Sequence, residues 1–179
     1  MEHIGGHLNR TWVDEGCLRF IYEKLEIKNM VDVGCGPGGM KDIAHSLGIE
    51  WTGVDGDPEV KQEGVIFHDF NDGKLEGVGE FSLGWSVEFL EHVFEKYQEN
   101  YMDIFSKCDY VLCTAAQPGW GGHHHVNEQT REYWISVFDS FGLEYDEQMT
   151  KEIVSNSTMR RKKSKSFMEL SGMFYRNKR

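Results

Sequence analysis

Apolar residues recur at helical spacing between Leu8 and Glu26, at Trp12, Leu18, Phe20, Ile21 and Leu25. That period predicts one helix with a break at Gly16. The pattern then changes to short apolar runs closed by turn residues. "MVDVGCGPGG" runs from a strand into a glycine turn, and "MKDIAHSLG" reads as a short helix capped at Gly48. "EWTGVDGDP", "GVIFHDF" and "EFSLGWSV" supply three more strands. Residues 88–107 read as a helix, "DYVLCTA" as a fifth strand and "PGWGGHHHVN" as a loop. "EQTREYWISVFDSFG" is a helix ending at Gly142, "LEYDEQ" a strand, and "SFMELSGMFYR" a last strand reached through a basic loop. Strands alternate with helices until the end, where two strands follow one another. The expectation is an α/β fold: a mostly parallel sheet with helices on both faces and an antiparallel edge.

Length and composition narrow the class. A chain of 179 residues with 39% hydrophobic and 13% aromatic content suits one globular domain. It divides into an N-terminal helical segment (1–29), a core (30–145) and a C-terminal strand pair with a basic loop (146–179). No apolar run spans a bilayer, and no secretory signal is visible. Four cysteines without CxxC spacing suit a reducing cytoplasm. The net charge of −11 is unevenly spread. Residues 151–179 hold nine basic and two acidic side chains, and residues 1–150 hold ten basic and 28 acidic ones. An acidic body argues against extensive binding of duplex nucleic acid. The basic run "RRKKSK", Arg160 to Lys165, reads as a solvated loop or as a clamp for an acidic substrate.

The glycine turn marks the ligand end of the sheet, where glycine permits close backbone approach. Gly34, Gly36 and Gly39 also satisfy GxGxxG, which fits dinucleotide binding. Asp32, two residues earlier in the strand, favours a cationic ligand over a pyrophosphate. Asp55 ends the second strand in position to meet ribose hydroxyls. Asp69 in "HDF" ends the third, near where an adenine amino group would lie.

In these motifs the chain resembles class I S-adenosylmethionine-dependent methyltransferases. "VDVGCGPGG", "GVDGDP", "HDF" and "GWSVEFLEHV" match that family's cofactor motifs in order, over roughly residues 30–145. The resemblance implies a Rossmann-like seven-stranded sheet whose last strand is antiparallel. It places Gly34, Cys35 and Gly36 beside the methionine part of S-adenosylmethionine, Asp55 at the ribose and Asp69 at the adenine. Asp32, Gly56, Asp57, Phe70, Trp85 and Ser86 complete the expected cofactor site. The run from "GGHLNRTWVDEG" onward also resembles small methyltransferases encoded by bacterial viruses, which would place the protein in a host cytoplasm. "GGHLN", with His7 and Asn9, is expected to fold over the cofactor.

Helical geometry would put Glu88, Glu91 and His92 on one face, opposite Leu90, Val93, Phe94 and Tyr97. Acids in a first turn complement the helix dipole, but that explains neither His92 nor the later "HHHVN". An ExxEH motif after the fourth strand, completed by a histidine after the fifth, resembles metal-dependent O-methyltransferases. These include small-RNA 2′-O-methyltransferases, and ubiquinone-pathway O-methyltransferases share the "EHV" helix. By that match Glu88, Glu91, His92 and His125 are the metal ligands. His123 is an additional ligand or a base, and a spare histidine among His92, His123 and His125 would take the acceptor proton. The chain lacks a recognisable RNA-binding domain. The donor set suits Mg²⁺ or Mn²⁺, with Fe²⁺ or Zn²⁺ as alternatives.

The expected reaction is metal-assisted methylation of a hydroxyl, one of a vicinal pair on a sugar, ribose, glycan, nucleotide or catechol-like acceptor. Trp120, in the histidine loop, is the candidate to stack on it, while Tyr133 and Trp134 read as core. Rival readings are a metal-free N- or O-methyltransferase, a nicotinamide-dependent oxidoreductase and a non-catalytic S-adenosylmethionine-binding module. "SVEF" lacks the (D/N)PP(Y/F) pattern expected for nitrogen acceptors.

Overall fold

The computed structural model describes residues 4, 6–161 and 165–179. The five alternating apolar runs become parallel strands: β1 (Asn29–Val33), β2 (Glu50–Asp55), β3 (Val65–Phe67), β4 (Phe81–Ser86) and β5 (Cys108–Cys113). Two later strands, β6 (Leu143–Tyr145) and β7 (Met173–Asn177), complete one sheet of order β3-β2-β1-β4-β5-β7-β6. β7 runs antiparallel to both β5 and β6. Every residue of β4 is buried, as expected for a central strand covered on both sides.

Six helices supply that cover. α1 (Glu15–Lys24), α2 (Met40–Ser46), α5 (Glu147–Ser155) and α6 (Phe167–Ser171) share one core layer with Met30, Trp51, Trp85 and Phe174. α3 (Gln98–Phe105) and α4 (Arg131–Ser140) share the other with Val31, Val33, Val54 and Tyr175. Phe174 faces one layer and its neighbours Met173 and Tyr175 the other, the two-residue alternation of a strand. The mostly parallel sheet, its antiparallel end and the helices on both faces are as expected, and Trp134 is fully buried in the core.

Three helical expectations are corrected. The first helix begins at Glu15, not Leu8, because Asp14 caps it by accepting from the Cys17 N–H. Gly16 does not break it. A Cβ there would stand 2.0 Å from the Asn156 carbonyl oxygen, so glycine admits a crossing chain. Residues 88–107 are not one helix. Two 3₁₀ turns, Leu90–His92 and Glu95–Tyr97, precede α3: Glu88 holds a left-handed φ of 55°, and Val93 and Phe94, with ψ of 128° and 138°, interrupt the chain between the turns. The third correction concerns residues 146–172, where α5 and α6 separate β6 from β7. Asp146 caps α5, whose Met149 and Ile153 are buried at i, i+4. A Ser166–Glu169 capping box starts α6.

Asp14 does more than cap α1. It is fully buried and also accepts from the Ser157 hydroxyl (2.5 Å) and the Thr158 N–H (2.8 Å). These bonds seat the segment after α5 against the N-terminal helix. Asp14→Ala strands those donors, and the expected loss in urea unfolding is about 2–4 kcal/mol. A loss under about 0.5 kcal/mol would mean the clamp is idle.

Candidate functional site

The carboxyl ends of β1, β2 and β4 open into a cavity of about 550 Å³. That volume is ordinary for a small-molecule site. Its wall at β1 is the glycine turn. The Gly34 N–H donates to the Val54 carbonyl (2.8 Å), and a Cβ on Gly34 would come within 2.6 Å of the Phe89 ring. The Gly36 N–H donates to Asp55 Oδ2 (2.7 Å), and Asp55 Oδ1 accepts from the Asp57 N–H (2.9 Å). One carboxylate at the end of β2 thus organises two turns while keeping lone pairs toward the cavity.

Most of the expected cofactor residues line this space: Asp32, Gly34, Cys35, Asp55, Gly56, Asp57, Asp69, Phe70 and Trp85. Asp32 is buried, accepts from Trp51 Nε1 (3.3 Å) and is pushed up to about 7 by that burial. The Trp51 bond opposes the shift and the Asp55 charge adds to it. Asp69 Oδ1 accepts from the Asn71 N–H and side-chain amide, both at 2.9 Å. Asp57 pairs with His7 Nε2 at 2.9 Å, which draws the "HLN" strap over the cleft. Gly36 lies under that strap: a Cβ there would meet the Arg10 carbonyl oxygen at 3.2 Å. Gly36 and Ser86 are not part of the lining. Ser86 is fully buried, and its hydroxyl donates to the Val33 carbonyl (2.9 Å), joining β4 to β1 away from the cavity.

The segments after β4 and β5 meet at one edge of the cavity. The Glu91 carbonyl accepts from the N–H groups of Val126 (2.9 Å) and Asn127 (3.1 Å), which pins the histidine loop to the "EFLEH" segment. Glu91, His92 and His125 can each offer one ligand atom, all within 4.8 Å of one another. The His92 and His125 rings lie 5.0 Å apart and perpendicular. Glu91 is fully buried, and among the described residues neither carboxylate oxygen has a hydrogen-bond partner. Burial raises its pKa well above the ordinary value, and the Glu88 charge adds to this. The nearby amides of Glu91 and Ala116 offset only part. His92 is pushed down to about 4, chiefly by burial and then by His125, so it is neutral at physiological pH.

His125 is aimed by a residue that the sequence reading missed. Glu128 Oε1 pairs with His125 Nδ1 at 2.8 Å. A carboxylate only accepts, so Nδ1 carries the proton and Nε2 is left to bind a ligand. Glu128 also accepts from the N–H groups of Gly119 (2.7 Å) and Gly121 (2.6 Å), fixing the loop on both sides. A Cβ on Gly122 would stand 2.3 Å from His125 Nε2, so glycine keeps that atom accessible. An acid three residues after a histidine was the signal available in "HVNE".

Glu88 is not part of the three-residue cluster. Its Oε1 accepts from the Thr114 hydroxyl (2.9 Å), whose oxygen in turn accepts from the Glu88 N–H (2.9 Å). Burial raises the Glu88 carboxyl to about 7, with Thr114 and Arg161 opposing. Glu88 does line the cavity, beside His92, His123, His125 and Trp120. His123 is exposed, and a Cβ on Gly6 would lie 3.0 Å from its ring. Glu88 and His124 both hold left-handed φ angles, of 55° and 49°, unusual conformations of the kind that collect at working sites. Arg10, Trp12, Arg161 and Phe167 also line the cavity, and Arg161 belongs to the basic run that read as a solvated loop or as a clamp for an acidic substrate. Residues 162–164 of that run lie outside the described residues.

No family model matches the chain, and no curated protein matches it. Solved structures do. A TehB-like S-adenosylmethionine-dependent methyltransferase from Corynebacterium glutamicum aligns with a TM-score of 0.62 at 15% identity, over 90% of this chain and 87% of that one. The N-methyltransferase NodS from Bradyrhizobium japonicum, in complex with S-adenosylhomocysteine, gives 0.59 at 14% identity, over 90% and 83%. The fold is that of class I S-adenosylmethionine-dependent methyltransferases. The methyltransferase domain of bacterial CtHen1-CN gives 0.56 at 12% identity, over 90% of this chain and 96% of that domain. Identities this low carry the fold and nothing about the acceptor. Within the methyltransferase fold, the cavity of this chain lies at the carboxyl ends of the strands, where open α/β sheets take their ligands. Among the described residues, no helix is long and apolar enough to cross a membrane.

Proposed function

We propose that the protein is an S-adenosylmethionine-dependent methyltransferase that methylates a hydroxyl with the help of a divalent metal. The observation that carries this is the buried Glu91 carboxylate, unpartnered among the described residues and gathered with two imidazoles at the rim of the glycine-turn cavity. An unpaired buried carboxylate is costly, and a cation offsets that cost. Glu91, His92 and His125 would hold the ion, with Glu88 as a fourth donor if it exchanges Thr114 for metal. A carboxylate with imidazoles suits Mn²⁺ or Mg²⁺, and also Fe²⁺ or Zn²⁺. Bound there, the metal would supply Lewis acidity toward an acceptor hydroxyl, and a vicinal diol would suit its open positions.

The chain's own residues account for the rest. Asp32 places a buried carboxylate where a sulfonium would be welcome. Asp55 and Asp69 present acceptors to ribose and adenine. Arg10 lines the same cavity and is a candidate partner for the cofactor's amino-acid carboxylate. The His7–Asp57 bond closes the strap over the cleft and excludes water. His123, exposed at the cavity edge, is the residue free to accept a proton. Trp120, 38% exposed, offers a stacking face to a ring-bearing acceptor.

The test is Mn²⁺ titration followed by electron paramagnetic resonance on protein loaded with S-adenosylhomocysteine, in the parent and in His125→Ala. Binding in the parent that weakens at least about tenfold in the variant supports the metal reading. S-adenosylhomocysteine binding without any Mn²⁺ binding sinks the metal and leaves a metal-free methyltransferase. Failure to bind S-adenosylhomocysteine sinks the methyltransferase reading itself.

A further inference from the structure

Two arginines line the cavity, Arg10 and Arg161. Neither reaches a carboxylate at ion-pair distance among the described residues, whereas Arg19, Arg176 and Arg179 all do. S-adenosylmethionine brings a single carboxylate, so one of these two cavity arginines is left for another anion, and Arg161 is the one whose setting marks it for that role.

Its surroundings fix its orientation. The Arg161 guanidinium lies 4.0 Å from the centre of the Phe167 ring, and Phe167 meets Trp12 edge-on at 5.2 Å. Stacking occupies a guanidinium face and leaves its in-plane N–H donors free. One of these makes only a long contact, 3.4 Å, to the Lys165 carbonyl. The Asp14 clamp on Ser157 and Thr158 lies a few residues before Arg161, and Arg161 itself is half-buried at the rim. Arg161 lines the same cavity as Glu88, His92 and His125. Neutralising Glu88 does not account for it, because the two form no ion pair and Glu88 is spent on Thr114. The surrounding run, Arg160 to Lys165, carries five basic residues in six.

We infer that the methyl acceptor carries a phosphate and that Arg161 binds it, seated on Phe167 and Trp12. A planar fork of N–H donors suits a phosphate oxygen pair. This rests on the methyltransferase reading of the same cavity. The phosphate can belong to a free phosphorylated sugar or to the end of a nucleic-acid strand, and the chemistry at Arg161 is the same for both.

The experiment is calorimetric titration of S-adenosylhomocysteine-loaded protein with ribose, ribose 5-phosphate and a ribodinucleotide, in the parent, Arg161→Ala and Arg161→Lys. The expected result is ribose 5-phosphate or the dinucleotide binding about tenfold or more tighter than ribose. The preference is erased in Arg161→Ala and partly kept in Arg161→Lys. Tight binding of the dinucleotide alone assigns the phosphate to a strand end, and binding of ribose 5-phosphate assigns it to a free compound. Equal response to all three probes, no heat from any of them, or a phosphate preference that survives Arg161→Ala overturns the inference. Intact S-adenosylhomocysteine and Mn²⁺ binding in those samples would confine the failure to the acceptor. Loss of either would instead strike the proposed function.

Discussion

Glu91→Gln is expected to weaken Mn²⁺ binding by about 100-fold or more and to remove turnover, with the chain still folded. Glutamine keeps the shape and removes the charge. Glu91 is fully buried and, among the described residues, has no partner for either oxygen, so its ionised form is the costly one in the metal-free chain. The variant should therefore melt no lower than the parent when metal is withheld. The same burial sets a pH dependence. A ligand must shed its proton before it binds a cation, and the Glu91 pKa is raised well above the ordinary value. Mn²⁺ affinity in the parent then climbs as pH rises, and the climb is lost in Glu91→Gln. His92, pushed down to about 4, adds no competing proton above pH 6. A variant that binds Mn²⁺ like the parent would remove Glu91 from the site.

Asp32→Asn is expected to stabilise the ligand-free protein at pH 8 and to damage cofactor binding. Asp32 titrates from an ordinary 3.8 up to about 7 in the folded chain, chiefly through burial. A raised pKa means stability that is full below about pH 4 and is lost as pH rises through 7. Asparagine does not titrate, so the gap between variant and parent should open by about 3–4 kcal/mol between pH 4 and pH 8 in urea unfolding. The Trp51 Nε1 donor keeps an acceptor in the amide oxygen. Cofactor binding should change in the opposite sense. Affinity for the cationic S-adenosylmethionine should fall more than that for S-adenosylhomocysteine, whose sulfur is uncharged. A stability gap that is the same at both pH values would mean that Asp32 carries no such strain.

Much of the sheet was legible because its signals are local. β1, β2, β4 and β5 are short apolar runs bounded by glycine, proline or acidic turns, and the glycine turn marked the ligand end directly. Most of the residues expected at the cofactor from their place at strand ends line the cavity, with Gly36 and Ser86 the exceptions. The Ser86 hydroxyl turned inward to β1, which a strand-end position alone does not reveal. The ligand cluster came together for a different reason from the one the helical wheel offered. Glu88 leaves the right-handed region, Glu91 and His92 sit on a 3₁₀ turn, and long-range bonds from Val126 and Asn127 bring His125 to them. The C-terminal third was the least legible. The charge of its basic run masked the buried Met149 and Ile153 spacing of α5 and the S-x-x-E start of α6. Arg161 was readable as a charge in either a solvated loop or a clamp, and the choice was not local, since the preceding Ser157 and Thr158 are seated by Asp14 more than 140 residues away in sequence.

The strand order also dictates when this sheet can close during synthesis. β6 leaves the ribosome before β7, yet its place in the sheet is beyond β7. Until Met173–Asn177 emerges, β6 has no strand to pair with, and β5 presents an open, apolar edge. The parallel half can form early, while the newborn chain carries a sticky flank until β7 inserts. Protection by a chaperone, or slow synthesis through residues 146–172, would matter most in that interval.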